Sequence, residues 1–479
     1  MARLLGIDVG TSGCKAIVID ESGRVIKSAS AEYPLSTPRP LWSEQNPEDW
    51  WNGVQSCLHE LDERNPDAIG LTGQMHGAVF LDGANSVIRP AILWNDQRTV
   101  AECEEIDRAV GADRVRQITC NPPLTGFQVP KVLWLRNNEP HAFAKLEKVV
   151  LPKDYIRFML SGEFRTEVSD ASGTGVFDVP AREWSTEMME SLGLPRNLFP
   201  DAAESRELTA NSVRCKHLDD GVPVAGGGGD QAAGAVGTGA VEPGVVSLSL
   251  GTSGVVFTAL SSPRYDPGGA AHTFCHANNA WHAMGVMLSC GGALRWFRDT
   301  FGAGAGYDDL SRDAANVSPG CEGLTFLPYL TGERTPHNDP FARASWSGAT
   351  LSHGRAHFAR SVFEGITFGL LDGYRVLQHL GVEGTEIRVT GGGAKSRFWV
   401  QMIADAFDKP CVTLETEEGP AFGAALLAGV GAGLWPDVAA ACRATVRTKD
   451  RFEPSGVDYS NRFNKYADLY SRLKEWNVR

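Results

Sequence analysis

At 479 residues the chain exceeds one ordinary core and fits two domains of roughly 240 residues each. Its 45 basic and 58 acidic side chains leave a formal charge of −13, which argues against nucleic acid or an anionic membrane as the main partner. The N-terminus MARLLGIDVG lacks signal-peptide architecture, no apolar stretch reaches the ~18 residues of a membrane span, and the 10 cysteines include no C-x-x-C pair; a cytoplasmic protein without a zinc site or disulfide framework is expected.

Leu4 to Val9 reads as a buried strand, and the alternation from Cys14 to Ile19 as another, so Gly10, Thr11, Ser12 and Gly13 join two strands rather than a strand and a helix. Successive N–H groups and hydroxyls in such a hairpin suit a phosphate. Asp8 supplies the carboxylate that a hydrated Mg²⁺ prefers. A third strand runs from Val25 to Tyr33, and Asn46-Pro47 opens a helix on which Trp51, Val54, Leu58 and Leu61 share a face. After a strand over 68–72 comes GQMHGAVFLD (73–82), where Gly73 and Gly77 flank Met75 and His76. A lone His beside a Met is more often a packed core residue; the bare backbone on either side shifts the balance toward a ligand whose hydroxyl His76 could bind.

In AILWNDQR (91–98), Trp94 precedes an amide, an acid and a guanidinium, a composition suited to polyhydroxylated ligands, with a helix cap at Asp96 as the alternative. The segments 127–139 and 151–174 read as helical, with proline near their starts and little catalytic content. Four glycines then precede Asp230 and a small-residue helix in GGGGDQAAGAV (226–236). Asp230 could cap that helix. A cap does not require four consecutive glycines, however, and their entropic cost favours a general base beside backbone kept bare for substrate.

The second half repeats the hairpin in SLGTSGVVF (249–257), with Gly251, Thr252, Ser253 and Gly254 in the turn. Two phosphate hairpins half a chain apart predict a duplicated domain, 1–243 and 244–479, clasping a nucleotide between its copies. The later histidines, His276 and His282 among them, read as structural. Arg355 to Leu380 is a long helix, and a strand over 387–390 runs into GGGAKS (391–396). That loop is neither a P-loop nor a G-x-G-x-x-G fingerprint, yet its glycines allow adenosine or phosphate to approach the backbone at the next helix. Helices over 420–431 and 459–476 complete the chain.

Together these stretches resemble the FGGY family of carbohydrate kinases over nearly the whole length. The likeness is carried by GIDVGTSGCK, GQMHG, LWNDQR, FQVPKVLWLRNNE, LPKDY, GGGGDQAAGA, SLGTSG, LPYLTGERTPH, FEGITFGL and TGGGAKSRFW. The resemblance implies an α/β fold of two actin-like, ribonuclease-H-like domains around a cleft, sugar mainly on the first and ATP mainly on the second. It implies Asp230 as the base, Met75 and His76 on a ketopentose with Trp94 and Gln231 nearby, and Asp8 on Mg²⁺. Gly10, Thr11, Ser12, Gly251 and Thr252 would border the phosphates, and Gly392 and Gly393 the adenosine. Gln231 departs from the Asn common after the base in similar members, which bears on sugar selectivity. A small-molecule sugar is the expected partner, with no nucleic acid or membrane, and a homodimer is an assembly this reading allows. The rivals are a kinase for another ketopentose or polyol, an actin-like or chaperone-type ATPase, and a nicotinamide oxidoreductase that lacks its fingerprint.

Overall fold

The first apolar run forms β1 (Leu4–Val9), and the Gly-Thr-Ser turn returns the chain antiparallel as β2 (Gly13–Ile19), with Val9 opposite Cys14. The structure is a computed structural model that describes residues 2–477 apart from 214 and 417. After β3 (Val25–Glu32), Asn46 caps α1 (Pro47–Leu61) by accepting from Glu48 N–H, and Pro47 occupies the first turn, where its missing donor costs nothing. The buried face of α1 carries Trp50, Val54, Cys57, Leu58 and Leu61; Trp50 is fully enclosed, its indole donating to Gln45, while Trp51 stands at the border. The expected face was therefore displaced by one residue at its start.

The first half continues with β4 (Ala68–Gly73), α2 (Gln128–Asn138), α3 (Pro152–Ser161), β5 (Leu208–Asn211), β6 (Pro223–Ala225), β7 (Gly228–Gly229) and α4 (Asp230–Thr238). Its sheet has the order β5-β6-β4-β1-β2-β3, with β7 also on β4; β1, β4 and β6 run parallel.

The second half contains β8 (Val245–Leu250), β9 (Gly254–Leu260), β10 (His272–Cys275), β11 (Trp281–Met287), α5 (Gly291–Phe301), α6 (Arg355–His379), β12 (Glu386–Thr390), α7 (Arg397–Phe407), β13 (Cys411–Leu414), α8 (Gly419–Gly431), β14 (Thr448–Phe452) and α9 (Ser460–Asn477). Its sheet order is β10-β11-β9-β8-β12-β13-β14. Apart from the added β10, this matches the first sheet strand for strand and in every direction, three antiparallel strands followed by two parallel to the first and one antiparallel. The duplicated two-domain α/β fold stands as expected. All ten cysteines are free thiols, and all but Cys103 are buried. Among the described residues no helix is long and apolar enough to cross a membrane.

The halves are joined by small residues. Although α8 follows the last parallel strand of the second sheet, it lies against the first: a Cβ at Gly6 on β1 would overlap the Ala421 carbonyl, and one at Gly70 on β4 the Ala424 carbonyl. On another face α8 meets α4, where Gly423 sits against the Ala233 carbonyl and Gly237 against that of Gly419. Leu4, Ile17, Ala68, Ala232, Val236, Phe422 and Leu426 fill the core around this contact. Adding a methyl where backbone touches backbone forces the elements apart. Gly423→Ala should lower the unfolding free energy by about 3 kcal/mol, at the upper end of overpacking costs, as measured by urea denaturation.

Candidate active site

Met75 and His76 follow the C-terminal end of β4, and His76 adopts a left-handed φ of 67° that a non-glycine residue holds only against strain. Residues of α2 hold it there. Lys131 Nζ donates to the His76 carbonyl at 2.8 Å and also to that of Gly126, while Gln128 Nε2 donates to the Gly77 carbonyl at 3.1 Å. The imidazole Nδ1 lies 2.7 Å from the Gly173 carbonyl oxygen, which can only accept, so Nδ1 carries the proton. Burial lowers the ring's pKa to about 3, leaving it neutral with Nε2 as an acceptor. The ring packs against Phe127 at 4.8 Å and against Phe274 of the second half at 5.9 Å. A Cβ at Gly173 would stand 2.6 Å from His76 Cε1, and one at Gly229 2.8 Å from Met75 Cγ, so both side chains fit only against bare backbone.

Asp230 opens α4, but Gly229 occupies the N-cap position and no side chain caps the helix, which removes the capping alternative. Burial raises the Asp230 pKa to about 6 against the opposing effect of hydrogen bonds from Gln231. The preceding glycines serve the protein's own packing rather than substrate access, contrary to expectation. Gly227 has φ 79° and lies against the Leu71 carbonyl, Gly228 and Gly229 pair with Thr72 and Gly73 of β4, and Gly229 supports Met75.

Asp8, near the end of β1, is pushed up to about 7 by burial and by the charge of Asp230, with Lys15 opposing. Its Oδ1 is buried without a hydrogen-bond partner. An orphaned carboxylate oxygen beside a second carboxylate fits a hard cation that keeps some of its water.

From Asp230 and Gln231 a cleft of about 460 Å³ extends across Ser247 and Ser249 of β8, Thr390 and Gly391 at the end of β12, Lys395, and Gly419 at the head of α8. Its edge corrects one expectation. A Cβ at Gly392 would meet nothing within 4 Å, whereas one at Gly393 would come within 2.7 Å of Leu250 Cβ and Trp399 Cζ3. Gly392 thus presents open backbone without lining the cleft, Gly393 is required for packing, and it is Gly391 of the same loop, with the unforeseen Ala394 and Lys395, that lines the cleft. The cation of GGGAKS was the available signal for Lys395.

Neither hairpin tip lines that cleft. Thr11 Oγ1 accepts from Trp94 Nε1 at 2.9 Å and donates to Gln74 Oε1 at 3.1 Å, so its hydroxyl proton is committed within the protein, and the Gly10 carbonyl accepts from Tyr33 at 2.5 Å. In the second hairpin the carbonyls of Gly251 and Thr252 accept from Gly291 and Gly292 N–H at 2.8 and 3.0 Å. Carbonyls are tied behind both turns, and Ser12 and Thr252 stand exposed at the tips. Within the LWNDQR cluster Asp96 turns inward: it is fully buried, pairs with Arg98 at 2.7 Å and accepts from Ser43 N–H, while Gln97 is exposed and α-helix begins only at Val100. The segments judged poor in chemistry hold Gln128, Lys131, Lys153, Asp154, Glu167 and Asp170, all buried. Charged residues at apolar positions of a helix, as in Lys153-Asp154, were the overlooked signal.

This duplicated fold with its shared cleft agrees with the family comparison. The sequence pattern of the FGGY family of carbohydrate kinases, N-terminal domain, matches residues 3–237, and that of the C-terminal domain matches residues 246–432. The chain belongs to the FGGY family of carbohydrate kinases. It is an ATP-dependent sugar kinase. It is 42% identical to a xylulose kinase of Escherichia coli (strain K12), over 89% of this chain and 90% of the relative. It is 39% identical to a xylulose kinase of Lactococcus lactis subsp. lactis (strain IL1403), over 99% of this chain and 96% of the relative. A solved structure described as a xyloylose kinase from Brucella ovis superposes with a TM-score of 0.93 at 38% identity, covering 99% of this chain and all of its own.

The open face of Gly392 makes it the better probe of the nucleotide side. Gly392→Val should raise the KM for ATP several-fold more than the KM for sugar, with little change in thermal stability. Equal effects on both constants, measured by coupled ADP release, would place the nucleotide elsewhere.

Proposed function

We propose that this enzyme transfers the γ-phosphoryl group of ATP to the C5 hydroxyl of D-xylulose, giving D-xylulose 5-phosphate and ADP. The observation that carries this reading is the place of Asp230, a half-buried carboxylate that lines the 460 Å³ cleft and directly follows Gly229, the backbone against which Met75 packs. His76 Nε2 accepts from a sugar hydroxyl, and Trp94 and Gln231 border the same acceptor. The xylulose kinases among its relatives support a ketopentose over other acceptors.

Phosphoryl transfer requires alignment and charge neutralisation more than covalent chemistry from the protein. Asp230 takes the proton from the attacking hydroxyl as the new O–P bond forms and the bond to ADP breaks. Gly10, Thr11 and Ser12 on one side and Gly251 and Thr252 on the other border the phosphates, chiefly through turn backbone, and Gly392 borders the adenosine. Asp8 would hold Mg²⁺, which when bound neutralises charge on the phosphate oxygens. In this division residues 1–243 supply the acceptor pocket and the base, and residues 244–479 the ATP site.

A panel of sugars with ATP and coupled ADP detection should give D-xylulose the highest kcat/KM; a higher value for ribulose, glycerol or gluconate would overturn the assigned acceptor. Asp230→Asn should reduce kcat by about 10² to 10⁴, roughly 3 to 5 kcal/mol of transition-state stabilisation, with an almost unchanged Tm because Gly229 and not Asp230 holds the cap position. The base must be ionised, and its pKa stands near 6, so activity should be full above that value and fall as pH drops through it. A flat kcat/KM profile between about pH 5 and 8 would place the base on another group.

A further inference from the structure

Behind Asp230 lies a group of charges that the reaction scheme does not use. Lys153 Nζ stands 2.5 Å from Asp154, 3.7 Å from Asp170 and 3.9 Å from Glu167, and all four side chains are buried. Three carboxylates around one ammonium form a poor stabilising device, since each buried charge must offset its own desolvation. A geometric task is the better account of them.

The geometry leads from Glu167 to the catalytic helix. Glu167 is saturated: Oε1 accepts from Ser169 Oγ at 2.9 Å and Asp170 N–H at 2.8 Å, while Oε2 accepts from Ser169 N–H at 2.8 Å and Ser205 Oγ at 2.6 Å. Because Ser169 spends its hydroxyl proton on Glu167, its oxygen is presented as an acceptor, and it takes the N–H of Gly229 at 3.1 Å. Gly229 is the residue before Asp230. Its N–H belongs to a strand pinned on its other side by pairing with Gly73.

We propose that Ser169 is a positioning residue for the phosphoryl transfer, oriented by Glu167 and Lys153 so that it fixes the backbone from which Asp230 reaches the acceptor hydroxyl. This rests on Asp230 being the base, and it adds a residue from a segment whose sequence showed no chemistry. Glu167 sets the direction of the Ser169 hydroxyl, and Lys153 anchors Glu167. The tie acts on the first half, so it bears on turnover and leaves the second-half side of the ATP cleft untouched.

The test compares Ser169→Ala with Ser205→Ala. Each removes one hydroxyl from the same glutamate, but only the first frees Gly229. Ser169→Ala should lower kcat by about 10- to 100-fold, the scale of a small misplacement of a catalytic group, with the KM for ATP within about twofold. Ser205→Ala should show a similar loss of Tm and a kcat within about threefold of the parent. If the two variants lose equal Tm and equal kcat, the Ser169 hydroxyl is structural and the proposal fails. Asp230→Asn assayed beside them separates the two readings: retained turnover there removes the base itself, whereas its loss without a specific effect of Ser169→Ala overturns only the positioning role.

Discussion

Helices α4 and α8 touch backbone to backbone, and that approach sets the distance between everything that must react. Gly423 against Ala233 and Gly237 against Gly419 allow no side chain in between. The same contact brings two helix N-termini to one cleft, with Asp230 and Gln231 at the head of α4 and Gly419 and Pro420 at the head of α8. Unsatisfied N–H groups and the positive ends of the helix dipoles suit a polyphosphate. In a chain with a formal charge of −13, such local devices must overcome a field of the wrong sign.

The carboxylates of the site are held under tension. Asp8 and Asp230 are both raised above an ordinary carboxylate, because burial disfavours the charge on each and, at Asp8, the charge of Asp230 adds to it. A group arranged this way accepts a proton or a cation readily. His76 shows the converse: Lys131 and Gln128 secure its backbone, Gly173 secures its tautomer, and the ring keeps one lone pair for a ligand.

Much of this was legible in the sequence because local rules govern it. Strand alternation on either side of Gly-Thr-Ser-Gly revealed both hairpins, their repetition revealed the duplication, and Asp230 stood out at the head of its helix. What was not legible depends on contacts that no local pattern announces, many of them with residues distant in the chain. The purpose of the glycines before Asp230 lies in Leu71 and Met75, the role of Gly393 in Leu250 and Trp399, and the inward turn of Asp96 in Ser43 and Arg98. Trp50 rather than Trp51 enters the core because Gln45 waits for its indole N–H. Lys131 and Lys153 passed unremarked in segments that read as helical and poor in chemistry, because most of their partners lie outside their own helices, from Gly126 and His76 to Glu167 and Asp170.

The seating of α8 on the first sheet also has a consequence for biosynthesis. Leu4, Ile17 and Ala68 lie in the part of the chain made first, yet the residues that cover them, Phe422 and Leu426 among them, are made near the end. At roughly 5 to 20 residues per second, the ribosome leaves that face without its cover for a time on the order of tens of seconds. The first sheet therefore cannot mature as an independent module during translation. Its completion waits for the second half, so a nascent chain interrupted before α8 carries an open apolar face into a crowded cell.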